Sequence, residues 1–187
     1  MKYTIIGGLN GVGKSTIYTL LPPGEKNSLG KRINVDEIAT GIGHWQDIET
    51  QMRAGKMAVR ALRDCLNDTQ NFHQESTLAG QSIVKTVLTA KEKGFYICLW
   101  YVYVDNIDIA KQRVLARVTK GGHGIPEDVI ERRGVATLNT LNKIVPLCDE
   151  VIVCNNTKNF TVVAKVINGN LTVLDKSMRN DILQCLM

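Results

Sequence analysis

The sequence predicts an α/β fold, a three-layer sandwich in which a mostly parallel five-stranded sheet lies between helices. Three observations carry this. Apolar runs of strand length alternate with amphipathic runs of helix length as far as residue 157. The first strand and the first helix are joined by Gly8-Leu9-Asn10-Gly11-Val12-Gly13-Lys14-Ser15, which fits G-x-x-x-x-G-K-[ST], the phosphate-binding P-loop. The chain has 187 residues, 44% hydrophobic and 22% charged, which suits one domain with a full core.

The elements follow in order. Tyr3-Thr4-Ile5-Ile6 is a buried strand, and the helix opens at Lys14-Ser15-Thr16. Leu21-Pro22-Pro23-Gly24 is expected to stop regular structure, and Asn27-Ser28-Leu29-Gly30 to continue as a loop. Arg32-Ile33-Asn34-Val35 is a short strand ending on Asp36-Glu37. Residues 47–69 carry Ala54, Ala58, Ala61, Leu62, Cys65 and Leu66 at helical spacing. Asn71-Phe72-His73-Gln74-Glu75 is a third strand, opening into Ser76-Thr77-Leu78-Ala79-Gly80; a helix over 81–93 follows, closed by Gly94. Residues 95–104 are continuously apolar and aromatic, as a central strand covered on both faces requires. A helix over about 107–120 leads into Gly121-Gly122-His123-Gly124, and Pro126 with Glu127 and Asp128 suits the first turn of the next helix. Glu150-Val151-Ile152-Val153-Cys154 is the fifth strand, ending in Asn155-Asn156-Thr157. Strands over 161–167 and 171–174, around Asn168-Gly169-Asn170, are expected to form an appended C-terminal β-hairpin, followed by a short helix within 176–187.

Composition excludes several function classes. No apolar run approaches the roughly 20 residues needed to span a bilayer, and no signal-peptide pattern precedes the P-loop, so no membrane partner is expected. Five cysteines, Cys65, Cys98, Cys148, Cys154 and Cys185, are odd in number and lack C-x-x-C spacing. They point to reduced thiols and a cytoplasmic protein, with Cys98, Cys148 and Cys154 as small core residues. The net charge of +5 favours anionic substrates over nucleic acid, because no basic run is interleaved with aromatics.

In an open α/β sheet, ligands sit beyond the carboxyl ends of the strands. Nucleotide contacts are therefore expected from Gly8, Asn10, Gly11, Val12, Gly13, Lys14, Ser15 and Thr16. Glycines let backbone N–H groups turn towards an anion, Lys14 would reach the β- and γ-phosphates, and the Ser15 hydroxyl would ligate Mg²⁺. Phosphoryl transfer further needs a carboxylate to orient or deprotonate an acceptor hydroxyl, and cations over the developing charge. Asp36 fits the carboxylate role, with a helix cap or an Mg²⁺ partner as alternatives. Glu75 and Thr77 fit acceptor contacts, with a helix-start cap as alternative. Asp105 is placed like a Walker B acid, but Asp105-Asn106 is better taken as a cap for the next helix. Arg113, Arg117, Arg132 and Arg133 flank the glycine-rich turn at 121–124, which suggests an arginine-bearing lid over about 113–133. Arg117 and Arg132 are candidates for the transferred phosphoryl group, and Arg113 for the nucleotide. His123 is placed for phosphate or for a structural hydrogen bond. Asn155 sits where an adenine-facing loop could lie.

The chain is similar to the zeta-toxin-like P-loop kinases, more closely to their compact stand-alone bacterial branch. The motifs that carry the resemblance are Gly7-Gly8-Leu9-Asn10-Gly11-Val12-Gly13-Lys14-Ser15-Thr16, Asn34-Val35-Asp36-Glu37-Ile38-Ala39, Glu75-Ser76-Thr77-Leu78-Ala79-Gly80 and residues 117–126, in that order and within about 3–157. The resemblance implies a single P-loop kinase-like domain over 1–187 with ATP and Mg²⁺ as cofactors. Lys14 and Ser15 would hold ATP–Mg²⁺, Asp36 would be the base, and Glu75 and Thr77 would contact the acceptor. Zeta toxins phosphorylate the amino-sugar 3′-hydroxyl of UDP-N-acetylglucosamine unless an antitoxin occludes the nucleotide site. The resemblance thus implies a small-molecule acceptor, such as a UDP-N-acetylhexosamine, and an antitoxin-like protein partner. A nucleotide-dependent ATPase or switch acting through a protein partner, and a nucleic-acid-end kinase, are the alternatives.

Overall fold

The computed structural model describes residues 1–44 and 46–187. Its first strand, β1 (Lys2–Gly7), lies inside a sheet with β2 (Lys31–Ile33), β3 (Phe72–Ser76), β4 (Tyr96–Tyr103), β5 (Glu150–Asn155), β6 (Thr161–Ile167) and β7 (Asn170–Val173). The order is β2-β3-β1-β4-β5-β6-β7, parallel from β2 through β5 and antiparallel over the last two pairings. This corrects the expectation of a five-stranded sheet with a hairpin appended to it. The hairpin strands extend the same sheet to seven among the described residues, because β6 pairs along the whole outer edge of β5, from Glu150↔Ile167 to Asn155↔Thr161. An unpaired β5 edge would leave a row of backbone donors and acceptors open to other chains, and the hairpin covers it.

Strand periodicity distributes the core. On one face Tyr3, Ile5, Phe72, Ile97, Leu99, Val151 and Val153 are buried. They pack on α4 (Ile48–Asn67), α5 (Ser82–Glu92), α7 (Glu127–Ile144) and α8 (Asn180–Leu186), through residues such as Leu62, Val87, Leu141 and Ile182. Full burial of an Ile or Leu side chain is worth about 1.5–3 kcal/mol, so this face holds most of the stability. A smaller cluster forms on the opposite face, where Val12, Val102, Val104 and Cys154 meet Ala110 of α6 (Ile107–Thr119). Burial pushes the Cys98 and Cys148 thiols up to about 12, as inert core sulfurs require.

Two further differences concern the segment after the P-loop helix, α1 (Lys14–Leu20). The Pro22-Pro23 pair does not end regular structure: Pro23 occupies the first turn of a short helix, α2 (Pro23–Ser28), where its missing N–H costs nothing. The strand expected over 32–35 stops at Ile33, because the Asn34 side chain accepts hydrogen bonds from the N–H groups of Asp36 and Glu37 (3.0 and 3.4 Å). Asn34 thereby caps α3 (Val35–Ile42), and Asp36 stands in a helix's first turn instead of at a strand's end. Asp47 and Asn106 cap α4 and α6 in the same way.

Candidate active site

β1 delivers the chain into the P-loop with the backbone turned by glycines at Gly8, Gly11 and Gly13, all at positive φ. Gly11 shows why: a β-carbon there would collide with the carbonyl of Ala110. The loop is held from outside. Gly8 N–H donates to the Ser76 carbonyl at the end of β3 (3.2 Å), and the Asn156 side-chain amide donates to the Val12 carbonyl (2.7 Å). Val12 itself points into the smaller core cluster, so only its backbone is available to a ligand.

Two adjoining cavities open over this loop and share Asn10, Lys14, Asp36 and Glu75. One, of about 440 Å³, runs along Gly11, Gly13, Ser15 and Thr16 to Arg113, Arg117, Asn156 and Phe160. The other, of about 500 Å³, runs from Asp36 to Gln51, Gln74, Ser76, Thr77, His123 and Arg133. Lys14 stands at their junction, where its ammonium donates to the Leu9 carbonyl (3.0 Å). Burial pulls its pKa down to about 8; Glu75 and Asp36 oppose that shift, and Arg117 and Arg133 add to it.

The carboxylates are arranged differently from one another. Asp36 is exposed to both cavities at the start of α3, next to the positive end of that helix. Glu75 is enclosed, its side chain 6% exposed, and both oxygens are engaged: one accepts from the Ser15 hydroxyl (2.7 Å), the other from Arg32 (2.5 Å). Thr77 lines the larger cavity, yet the hydroxyl that satisfies a backbone donor in this turn belongs to Ser76, which accepts from Leu78 N–H (3.0 Å). Thr77 instead offers its carbonyl to Thr137 of α7 (2.7 Å), tying the turn to the arm above it.

That arm comprises the C-terminal end of α6, residues 120–126, and the start of α7. Gly121, at φ +79, ends α6 in a Schellman motif, with Gly121 N–H donating to Val118 and Gly122 N–H to Arg117 (both 2.9 Å). The Arg117 side chain folds back onto the His123 carbonyl (2.7 Å). Burial, reinforced by Arg117 and Arg133, lowers the His123 pKa while Asp36 opposes it, so the imidazole is neutral at pH 7. Arg113 lines the smaller cavity and donates to the Thr157 carbonyl (3.1 Å).

Two adjacent arginines are placed differently. Arg132 lies on the exposed side of α7, whereas Arg133 reaches the site and donates to the Asn10 side chain (2.9 Å). The 100° between successive helical residues puts Arg133 on the side of buried Ile130 and Thr137, and turns Arg132 away from it. Asn155 likewise turns from the cavity to donate to Asp105 (2.9 Å), and Asn156 faces it. Asp105 is thus bound up with the β5 end, and Asn106 is the cap of α6. Arg32 is a site residue that sequence reasoning does not find. Its only local signal is a basic residue two positions before the Asn34 cap, which says nothing about Glu75, 43 residues away.

These donors fit a magnesium nucleotide. Among the described residues no group of three His, Cys, Asp or Glu side chains could hold a metal ion by itself. Ser15, Asp36 and Glu75 are hard oxygen donors, suited to Mg²⁺ that completes its shell with phosphate oxygens and water. Among the described residues no helix is long and apolar enough to cross a membrane.

No protein-family model matches the sequence. An uncharacterized protein of Haemophilus influenzae is 35% identical over 126 residues, covering 67% of this chain and 87% of that one. Among solved structures, a chain of the AvrRxo1-ORF1:AvrRxo1-ORF2 complex with sulphate ions aligns with a TM-score of 0.75 at 17% identity, over 97% of this chain. The same complex with ATP aligns with a TM-score of 0.71 at 16% identity, over 96% of this chain and 65% of that one. A chain of the PezAT chromosomal toxin–antitoxin system of Streptococcus pneumoniae aligns with a TM-score of 0.67 at 17% identity, over 99% of this chain and 76% of that one. The chain spans 63% of the AvrRxo1 chain it matches in the sulphate-bound complex, less than two thirds of it.

Proposed function

We propose, from the P-loop motifs and a fold shared with chains of the AvrRxo1-ORF1:AvrRxo1-ORF2 complex and the PezAT toxin–antitoxin system, that this chain is a zeta-toxin-like kinase, an ATP- and Mg²⁺-dependent phosphotransferase acting on a hydroxyl of a small molecule. One observation carries the reading: Lys14 stands where a P-loop cavity and a second cavity headed by the exposed Asp36 meet. Donor and acceptor would therefore approach one another across a single lysine and a single free carboxylate.

In this reading the P-loop backbone and Lys14 hold the triphosphate, and Arg113 with Asn156 borders the rest of the nucleotide. Mg²⁺, when bound beside Ser15, neutralises phosphate charge and fixes the orientation of the transferred group. Asp36 accepts the proton of the acceptor hydroxyl from its exposed place at the start of α3. Arg117 and Arg133 supply positive charge above the transferred group as α6 and α7 close over it. The second cavity offers side-chain amides from Asn34, Gln51 and Gln74 and hydroxyls from Ser76 and Thr77. Such a lining suits a polyhydroxylated acceptor, and a UDP-N-acetylhexosamine is the first candidate by family. A protein partner of the antitoxin kind would inhibit by covering the P-loop cavity.

The test is incubation with ATP–Mg²⁺ and a panel of UDP-sugars, nucleosides and sugar alcohols, read by mass spectrometry for one added phosphoryl group. Transfer to a panel member that Lys14→Ala abolishes supports the reading. ATP hydrolysis that is independent of every acceptor and is stimulated by a protein partner would replace it with a nucleotide switch.

A further inference from the structure

Arg32 belongs to no P-loop motif, yet it joins three elements of the site. Its Nη2 contacts Glu75 on β3 (2.5 Å) and Glu37 on α3 (2.6 Å), and its Nε contacts the other Glu37 oxygen (2.8 Å). Its guanidinium carbon lies 3.6 Å from the centroid of the Tyr18 ring on α1, and Tyr18 in turn stacks on buried His73 (4.9 Å, 23°). The Arg32 side chain is 16% exposed and that of Glu75 is 6% exposed. A pair this enclosed is a poor device for stability alone, because desolvating two charges offsets much of their attraction. It does fix geometry: the planar fork holds both carboxylates in set directions, which a lysine could not do.

Glu75 then presents its remaining oxygen to Ser15 (2.7 Å), the hydroxyl next to Lys14. Glu37 is the immediate neighbour of Asp36 on the first turn of α3. Arg32 thus ties the hydroxyl that would hold Mg²⁺ to the turn that carries the proton acceptor. We infer that Glu75 serves the metal side of the site through Ser15, in place of an acceptor contact, and that Arg32 is the positioning residue that holds Glu75 and α3 in register. The inference rests on the kinase reading above and deepens it. A carboxylate oxygen beside a ligating hydroxyl orients that hydroxyl's lone pair and adds negative charge near the ion, and loss of such a partner typically weakens metal affinity about 10–100-fold.

The experiment measures binding of a non-hydrolysable ATP analogue by the full chain, once in EDTA and once across a MgCl₂ titration, with the thermal midpoint of each variant recorded. For Glu75→Gln, which keeps size but removes the charge and turns one accepting oxygen into a donor, metal-free affinity should stay within about twofold and the Mg²⁺ requirement should rise about tenfold or more. Arg32→Ala should shift the Mg²⁺ titration in the same direction, and Arg32→Lys should recover part of the shift, since it restores charge without the fork. If Arg32→Ala does not fold, Glu75→Gln and Arg32→Lys decide. An unchanged Mg²⁺ titration in folded Glu75→Gln overturns the metal-side assignment. A shift in Glu75→Gln with none in either Arg32 variant overturns the positioning role. Failure of the unmodified chain to bind the analogue at all strikes the kinase reading itself, a separate outcome.

Discussion

Nucleotide binding should take up a proton at Lys14. In the free protein burial holds the ammonium pKa at about 8, so at pH 8 about half of the molecules carry a neutral amine there. A triphosphate in the P-loop cavity surrounds that nitrogen with negative charge, which favours the charged form and raises its pKa well above the working range. Uptake on binding then equals the neutral fraction beforehand: about 0.1 proton at pH 7, about 0.5 at pH 8 and about 0.9 at pH 9. Isothermal titration calorimetry of an ATP analogue in buffers of different ionisation enthalpy reads this number as the slope of observed against buffer enthalpy. Lys14→Met should remove the slope. His123 cannot mimic the trend, because a group lowered from the usual histidine value is already neutral above pH 7 and its uptake falls as pH rises. A slope near zero at pH 8 and 9, or one that survives in Lys14→Met, would refute the placement of Lys14 at the phosphate.

Three other expectations follow from single sites. Asp36→Asn should keep nucleotide binding within a few-fold and slow transfer to the identified acceptor by about 10²–10⁴-fold, checked by single-turnover phosphorylation. His73 is fully buried with its pKa pressed down to about 4, chiefly by burial and then by Arg32, so the folded state stays unprotonated where the unfolded chain binds a proton. Stability should therefore be intact above about pH 6.5 and fall by roughly 2 kcal/mol between there and pH 5, and urea melts of His73→Phe should lose that dependence. Gly11→Ala places a β-carbon against the Ala110 carbonyl at positive φ, and should cost more than about 1 kcal/mol in denaturant melts while also weakening analogue binding.

Much of this molecule is legible along the chain, because the controlling interactions are local. The P-loop pattern, the apolar run of β4, the glycine that ends α6 and the alternation of strands and helices depend on neighbours a few residues apart. The motif alone locates the loop that lines the smaller cavity, where Lys14 and Ser15 meet Asp36 and Glu75. Where local signals compete, the sequence is ambiguous: Asn34, Val35 and Asp36 satisfy both a strand end and a capped helix start, and the cap's two hydrogen bonds decide it.

The rest is decided by contacts that close only in three dimensions. Arg132 and Arg133 are equivalent in composition, and the packing of α7 through Ile130 and Thr137 selects the second to meet Asn10. Asn156 replaces Asn155 because β5 stops where Asp105 and Thr157 hold its last residue. The hairpin joins the main sheet because β5 has an edge to pair, which no local pattern records. The parallel pairing of β2 with β3 brings Arg32 against Glu75, a contact 43 residues apart that the sequence does not reveal. By itself, the sequence determined the glycine-turned loop between β1 and α1, since backbone turns are encoded locally. Only the tertiary structure decided which carboxylate stays exposed, Asp36, and which is bound to the Ser15 hydroxyl, Glu75, since charges many residues apart acquire their partners by folding.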